Sequence, residues 1–495
     1  MLRKIRRFFA ALFFVGITLL FLDFTGTLHA WLGWMAKIQF LPAVLALNFG
    51  VVAALLVLTL LFGRVYCSVI CPLGVFQDVV SHIAGKIRKN RFSYSPALRW
   101  MRYAVLVLFI VAMVAGVGSF VALLAPYSSY GRMVSNLLAP IYQWGNNIVA
   151  GFAERTGSYA AYETDVWVKS IPTFVIAALT FVVISWLAWR SGRTYCNTIC
   201  PVGTVLGVVS RFSLFKVAFD EDKCKNCGLC ARKCKASCID VENHKIDHSR
   251  CVACMNCVSD CKFGALKLTH HRLWGSARRK AADAPVDTSR RTFLMAGAMA
   301  AGAATLKAQE MKVDGGLAAI LDKKAPRRET KITPPGSWSA YNMAQRCTAC
   351  QLCVSVCPNG VLRPSTDLMT LMQPEMSYER GYCRPECTKC SEVCPAGAIQ
   401  RIDRAEKSSI QIGHAVWIRD NCVPLTDGVE CGNCARHCPT GAIQMVSSVP
   451  GDALSVKIPV VDAERCIGCG ACENLCPSRP FSAIYVEGHE RHRTV

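Results

Sequence analysis

Four apolar runs break an otherwise mixed chain, near positions 8–25, 42–62, 103–124 and 171–189. Each is about 20 residues, the length a helix needs to cross roughly 30 Å of hydrocarbon. After 216 the pattern changes to short apolar pairs set between Cys, Gly and Pro, which predicts small strands and turns. Polar positions add a direction. Arg3, Lys4, Arg6 and Arg7 precede the first run. The 72–102 segment carries Lys86, Arg88, Lys89, Arg91, Arg99 and Arg102 against the single acid Asp78. The 190–216 segment is basic and acid-free, whereas 125–170 is balanced. The basic segments therefore share one face, the cytoplasmic one by the positive-inside rule. Trp31, Trp34, Tyr127 and Tyr130 fall where an outer aromatic belt is expected. Four core helices of a soluble protein have no reason to alternate in flanking charge.

The membrane part is duplicated. Gly63-Arg-Val-Tyr-Cys-Ser-Val-Ile-Cys-Pro-Leu-Gly74 matches Gly192-Arg-Thr-Tyr-Cys-Asn-Thr-Ile-Cys-Pro-Val-Gly203 at an offset of 129 residues. Val79-Val80-Ser81 recurs as Val208-Val209-Ser210 at the same offset. Two helical hairpins thus repeat, each ending at the cytoplasmic face in Cys-x3-Cys-Pro. Sites in duplicated membrane proteins tend to lie between the repeats.

The chain has 495 residues, 52% hydrophobic and 18% charged, with a net charge of +22. Such a chain buries ample core, which excludes a disordered chain, a fibre or a small disulfide-stapled domain. The positive charge belongs to the membrane-facing segments and their anionic lipid rather than to nucleic acid. Residues 307–495 hold 22 Lys+Arg against 20 Asp+Glu.

The 29 cysteines decide the chemistry. Cys224, Cys227, Cys230 and Cys234 form C-x2-C-x2-C-x3-C. Cys251, Cys254, Cys257 and Cys261 repeat it, as do Cys347, Cys350, Cys353 and Cys357, and Cys466, Cys469, Cys472 and Cys476. Cys383, Cys387, Cys390 and Cys394 carry one extra residue in the first gap. In Cys422, Cys431, Cys434 and Cys438 that gap is eight residues. Three cysteines at i, i+3 and i+6 wrap a loop around three corners of a cubane. The fourth points away, to the partner cluster. Zinc knuckles use two separated Cys-x2-Cys pairs, and disulfides have no reason to repeat one spacing. Six [4Fe–4S] clusters follow, with these 24 cysteines as iron ligands. Cys224, Cys227, Cys230 and Cys261 are expected to hold one cluster, and Cys251, Cys254, Cys257 and Cys234 its partner. Cys238 is left over and reads as a non-ligand.

Other redox centres are excluded. No Cys-x-x-Cys-His offers a c-type haem. His29 and His82 fall at opposite membrane faces and cannot sandwich a haem. No Gly-x-Gly-x-x-Gly follows a strand, so there is no nicotinamide site of that type.

Ser289-Arg-Arg-Thr-Phe-Leu294 precedes an uncharged run ending at Leu306. It resembles a twin-arginine export signal, a route that moves folded, cluster-loaded domains. No small-x-small cleavage site follows, which favours retention as a fifth anchor. The organisation expected is a four-helix transmembrane domain (1–216), a cytoplasmic dicluster ferredoxin (217–275), a linker with the internal signal (276–338) and a periplasmic four-cluster domain (339–495). The fold class is an α-helical four-transmembrane bundle of two repeated hairpins plus α+β ferredoxin-like domains.

With both Cys-x3-Cys-Pro motifs and the following dicluster, the first 275 or so residues resemble NapH-like membrane ferredoxins. Residues 285–485 resemble NapG/MauM-type periplasmic ferredoxins, and the two look fused. The resemblance implies a quinol dehydrogenase component in the bacterial inner (cytoplasmic) membrane. It implies (mena)quinol as diffusible substrate, electrons passed to a periplasmic reductase such as nitrate reductase or to a cytochrome, and no nucleic-acid partner. Resemblance to four-cluster subunits further implies that quartet one of the exported domain pairs with quartet four, and two with three. Other membrane polyferredoxins with Cys-x3-Cys-Pro serve copper-site maturation or regulation. The exported four-cluster domain favours electron delivery, and the 125–170 loop is too small for the flavin domain of the regulatory type.

Cys67, Cys71, Cys196 and Cys200 remain. As structural residues they are small apolar side chains at helix ends, with Pro72 and Pro201 opening the next helices. As functional residues, the i, i+4 spacing puts both sulfurs of a motif on one helix face, with Arg64 and Arg193 one turn earlier. The repeat then brings all four thiols together to hold a metal or a seventh cluster, or to pair across repeats. Either way they are expected to pass electrons between quinol and the cytoplasmic clusters.

Overall fold

The computed structural model describes residues 2–87, 92–157, 162–270, 321–452 and 454–494. The twin arginine and its apolar run lie outside the described residues.

Among the described residues two helices are long and apolar enough to cross a membrane, Leu2–Leu22 and Ile171–Ser191. These are the first and fourth apolar runs. The second is split into Phe40–Leu45 and Phe49–Phe62, and the third into Arg99–Val114 and Gly118–Leu124. The causes are local. Leu47 turns the chain at φ 54, and Asn48 accepts from Val51 N to start a new helix. Gly116 does the same to the third run at φ 75.

The duplication is visible in the backbone. Phe49–Phe62 ends at Gly63 (φ 74), and Ile171–Ser191 ends at Gly192 (φ 71). Each glycine turns the chain into a one-turn helix, Val65–Val69 or Thr194–Thr198, that carries the first cysteine of its motif. Pro72 and Pro201 then open Pro72–Ile87 and Pro201–Ser210. The copies are interlocked. Pro72–Ile87 packs on Ile171–Ser191, and Pro201–Ser210 packs on Phe49–Phe62.

Two ferredoxin-like units flank the helices. In the first, Phe215–Phe219 pairs antiparallel with Leu266–His270, and Ile239–Asp240 with Lys245–Ile246. In the second, Ile410–Trp417 pairs with Ile484–Thr494, and the hairpins Leu362–Pro364/Pro374–Met376 and Ile443–Ser447/Lys457–Val461 complete it. The units sit at opposite ends of Leu2–Leu22, a helix about 31 Å long. Arg3 pairs with Asp260 at 2.7 Å at its start, and just past its end Thr25 O accepts from Lys389 Nζ at 2.8 Å.

Two of the four residues expected in an aromatic belt lie elsewhere. Trp31 and Trp34 are exposed, but Tyr127 and Tyr130 are core residues packed on Phe21 and Phe14. Pro126–Met133 is a buried helix rather than a surface loop.

Candidate metal centres

The first ferredoxin unit assembles its cysteines as the spacing requires. Cys224, Cys227, Cys230 and Cys261 line one pocket. Cys234 lies with Cys251, Cys254 and Cys257. Cys238, with no partner legible in the sequence, has its sulfur 3.6 Å from that of Cys234 and also reaches Cys251. It sits against two thiols of one set and belongs to neither quartet.

In the second unit the pairing differs from expectation. Cys357 shares a pocket with Cys383, Cys387 and Cys390, and Cys394 faces Cys347, Cys350 and Cys353. Cys476 shares a pocket with Cys422, Cys431 and Cys434, and Cys438 lies against Cys466 and Cys469. Quartet one therefore pairs with two, and three with four. The hairpins are the reason. Leu362–Pro364/Pro374–Met376 folds the second quartet back on the first, and Ile443–Ser447/Lys457–Val461 folds the fourth on the third. The pairs then meet side by side, where Cys383 N donates to Cys469 O at 2.9 Å. Four thiol sets thus form a row. The set nearest the helices is the one with Cys350, beside Arg132 and Tyr127.

The donor sets fit iron–sulfur clusters. Three of them are four thiols around a pocket, and among the described residues no three His, Cys, Asp or Glu side chains converge on a single ion. A mononuclear zinc needs four donors about 2.3 Å from one point, whereas a cubane spreads its thiolates around a cube. Backbone N–H groups point at ligand sulfurs: Ala265 at Cys261 (3.3 Å), Ala349 at Cys347 (3.4 Å) and Ala483 at Cys476 (3.3 Å). Such donors stabilise the more negative, reduced form. A bound [4Fe–4S] cluster supplies one-electron redox chemistry.

Three lysines invisible as site residues in the sequence join them. Lys407 is buried and donates to Arg384 O and Cys387 O, both at 2.5 Å. Lys169 donates to Val354 O at 2.8 Å beside Cys357 and Cys353. Lys323 caps the end of the Ala471–Leu475 helix at Glu473, Asn474 and Cys476, and burial lowers its pKa to about 8.

Cys67, Cys71, Cys196 and Cys200 are all buried and brought together from the two repeats. The arginines cross between copies. Arg64 donates to Cys196 O at 3.0 Å, and Arg193 to Cys67 O at 2.6 Å. Each also approaches its own motif's sulfur, Arg64 to Cys67 at 3.8 Å and Arg193 to Cys196 at 4.0 Å. Glycine is required where they cross: a Cβ on Gly74 would lie 2.6 Å from Arg193, and one on Gly203 2.8 Å from Arg64. The quartet is buried between the two ferredoxin units. On one side Arg64 donates to Ser249 O at 3.1 Å, next to Cys251. On the other, Tyr195 lies by Arg132, which reaches Ala349 O at 3.4 Å, next to Cys350.

Asp78, the lone acid of its segment, ties this region together. It accepts from Arg193 (2.8 Å), Arg6 (3.2 Å) and Lys235 (3.3 Å). Burial alone would raise its pKa, but Arg193 and Lys235 hold it far below the usual carboxylate range.

Known proteins match this arrangement in parts. A 4Fe-4S binding domain matches residues 44–90 and 171–219, the two repeats. 4Fe-4S dicluster domains match 247–361 and 429–479. The protein MJ0749 of Methanocaldococcus jannaschii is 27% identical over 36% of this chain and 54% of its own length. The ferredoxin-type protein NapF of Escherichia coli is 27% identical over 36% of this chain and all of NapF. The methylamine utilization ferredoxin-type protein MauM of Paracoccus denitrificans is 30% identical over 32% of this chain and 73% of MauM. The chain belongs to the MauM family of ferredoxin-type proteins. This ferredoxin-type chain is an iron–sulfur electron-transfer protein carrying 4Fe-4S clusters. It spans about half the length of the first curated relatives it matches. No solved structure matches it.

Proposed function

We propose that the chain is a membrane-bound conduit that holds six [4Fe–4S] clusters, takes electrons from quinol and passes them to a reductase or cytochrome outside the cytoplasmic membrane. The observation that carries this is the placement of cysteine sets at both ends of one membrane-length helix, Leu2–Leu22, with four further thiols buried between. All four apolar segments lie in the membrane on this reading, the second and third as broken helices. The basic 72–102 and 190–216 segments and the 215–270 unit face the cytoplasm. The 321–494 unit faces outward, carried there by the twin arginine.

Cys67, Cys71, Cys196 and Cys200 then form a relay between the two cluster groups. The anaerobically purified holoprotein, reconstituted in liposomes, is mixed with a reduced short-chain naphthoquinone while cluster absorbance is followed. Rapid bleaching is the expected result, slowed at least tenfold for the inner clusters or the outer ones by serine at Cys67 and Cys196. Bleaching by dithionite but not by quinol would overturn the reading.

A further inference from the structure

One cavity lies beside the thiol sets rather than within one of them. It holds about 810 Å³ and lies between the end of Leu2–Leu22, the Ala139–Arg155 helix and residues 162–169 on one side, and residues 355–360 of the second ferredoxin unit on the other. We propose that this cavity binds the head group of a quinol and that oxidation takes place there, on the outer side. The inference rests on the quinol reading above and gives it a location.

Four observations converge. First, the walls are aromatic: Phe24, Trp144, Tyr162 and Trp167. Trp167 is clamped between Arg363 and Arg380, whose guanidinium carbons lie 4.7 and 4.5 Å from its ring centre. A fixed flat wall suits a flat ring. Second, the wall also carries charged groups, Glu163, Asp165, Lys169, Arg380 and Lys389, and part of the polar lining is held in place. Asn147 donates to Thr164 O at 2.8 Å and accepts from Thr164 N at 2.9 Å, and Asn146 donates to Tyr162 O at 2.9 Å. These bonds fix the irregular segment that carries Glu163 and Asp165 on the cavity wall.

Third, the approach is apolar. Ala139–Arg155 leaves Ile141, Trp144, Ile148 and Phe152 exposed, at i, i+3, i+7 and i+11. One helix face is therefore bare hydrocarbon leading to the cavity mouth, the pattern of a helix lying in a membrane interface. A water-soluble donor has no use for it, and a lipid-borne one does. Fourth, the cavity adjoins a redox site. Cys357, Pro358, Asn359 and Lys389 line both the cavity and the pocket of Cys383, Cys387 and Cys390. A ring in the cavity is one residue's thickness from an iron ligand.

The step balances without a further reagent. A quinol gives up two electrons and two protons and leaves as quinone. The protons pass from its two hydroxyls to Glu163 and Asp165 and then to outside water. The electrons leave singly on the Cys357 side, the oxidant being a centre of the [4Fe–4S] class. Electrons then enter the outer row directly, and the cytoplasmic unit is reached from it through the buried thiols. That reverses the order expected from the sequence, which put the cytoplasmic clusters next to quinol.

The test is photolabelling of the holoprotein in nanodiscs with an azido-naphthoquinone, followed by peptide mapping, alongside quinol-driven cluster reduction. Labels are expected within 143–167 and 355–360. Trp144→Ala, an exposed position that leaves iron content intact, is expected to cut labelling at least fivefold. Glu163→Gln with Asp165→Asn is expected to keep the label but slow reduction and move its pH profile. Labels around Tyr66 and Cys71, or spread along the lipid-facing helices, overturn the site even if quinol reduces the clusters. Specific labelling of the cavity with no cluster reduction upholds the site and fails the quinol-donor reading instead.

Discussion

Replacing Asp78 by Asn removes one charge from a cluster of three cations and leaves the side-chain shape unchanged. Arg193 is fully buried, and its Nε–H has Asp78 as partner at 2.8 Å. The adjacent Nη2 already lacks a partner. The substitution therefore strands a buried guanidinium rather than breaking a surface pair. Leaving a buried charge uncompensated costs about 3–5 kcal/mol. At about 2–4 °C per kcal/mol for a unit of this size, the thermal midpoint should fall by roughly 10 °C. Arg6, a longer pair than Arg193 at 3.2 Å, gives an internal control. Arg6→Gln should cost only about 1 kcal/mol. The assay is thermal unfolding of the holoprotein in nanodiscs, paired with hydrogen exchange over 233–237, where Lys235 O accepts from Arg193 N. Both signals should move together, because Asp78 joins the amino terminus, the second repeat and the cytoplasmic unit. A shift under about 2 °C for Asp78→Asn, or one no larger than for Arg6→Gln, would refute the reasoning.

Three further outcomes follow from the geometry. Cys357→Ser combined with Cys390→Ser should lose about 4 Fe, no more than either alone, while Cys357→Ser with Cys353→Ser should lose about 8; iron analysis decides, and a loss of about 8 Fe from both double variants would restore the pairing of quartet one with four. Lys407→Met removes a buried ammonium beside Cys383 and Cys387, and a redox titration should show one outer cluster shifted negative by on the order of 50 mV. His492 bonds Thr333 at 3.0 Å, and burial, then His489, lowers its pKa to about 4. An unfolded His protonates near its ordinary value of 6.5 and the folded one does not, so stability should be flat above that pH and fall from there down to about 4; His492→Gln should flatten that decline in acid-unfolding curves.

What was legible in the sequence was what is local. Cys224, Cys227 and Cys230 surround a pocket because a three-residue step winds one loop around it. Cys234 and Cys261 cross because the next step points away. The meeting of Cys67 and Cys71 with Cys196 and Cys200 was legible for another reason, since an offset of 129 residues repeats both the motif and its glycines. Pairing in the outer unit was not legible. It depends on two hairpins, each formed by strands of five residues or fewer, too short to announce themselves. Hydropathy also overlooked the breaks at Leu47 and Gly116, because a turn made of apolar residues leaves the average unchanged. Lys169, Lys323 and Lys407 read as ordinary surface charges, since nothing in a lysine's neighbours reveals which carbonyls it will meet. Arg132, Tyr127 and Tyr130 looked like loop residues and became the contact between helices and outer unit.

The most direct test of the account is an anaerobic reductive titration of the purified holoprotein with EPR spin counting and iron analysis on the same sample. Six one-electron centres and about 24 Fe per chain are expected, with spin coupling between neighbours in the outer row. Two centres and about 8 Fe would contradict it.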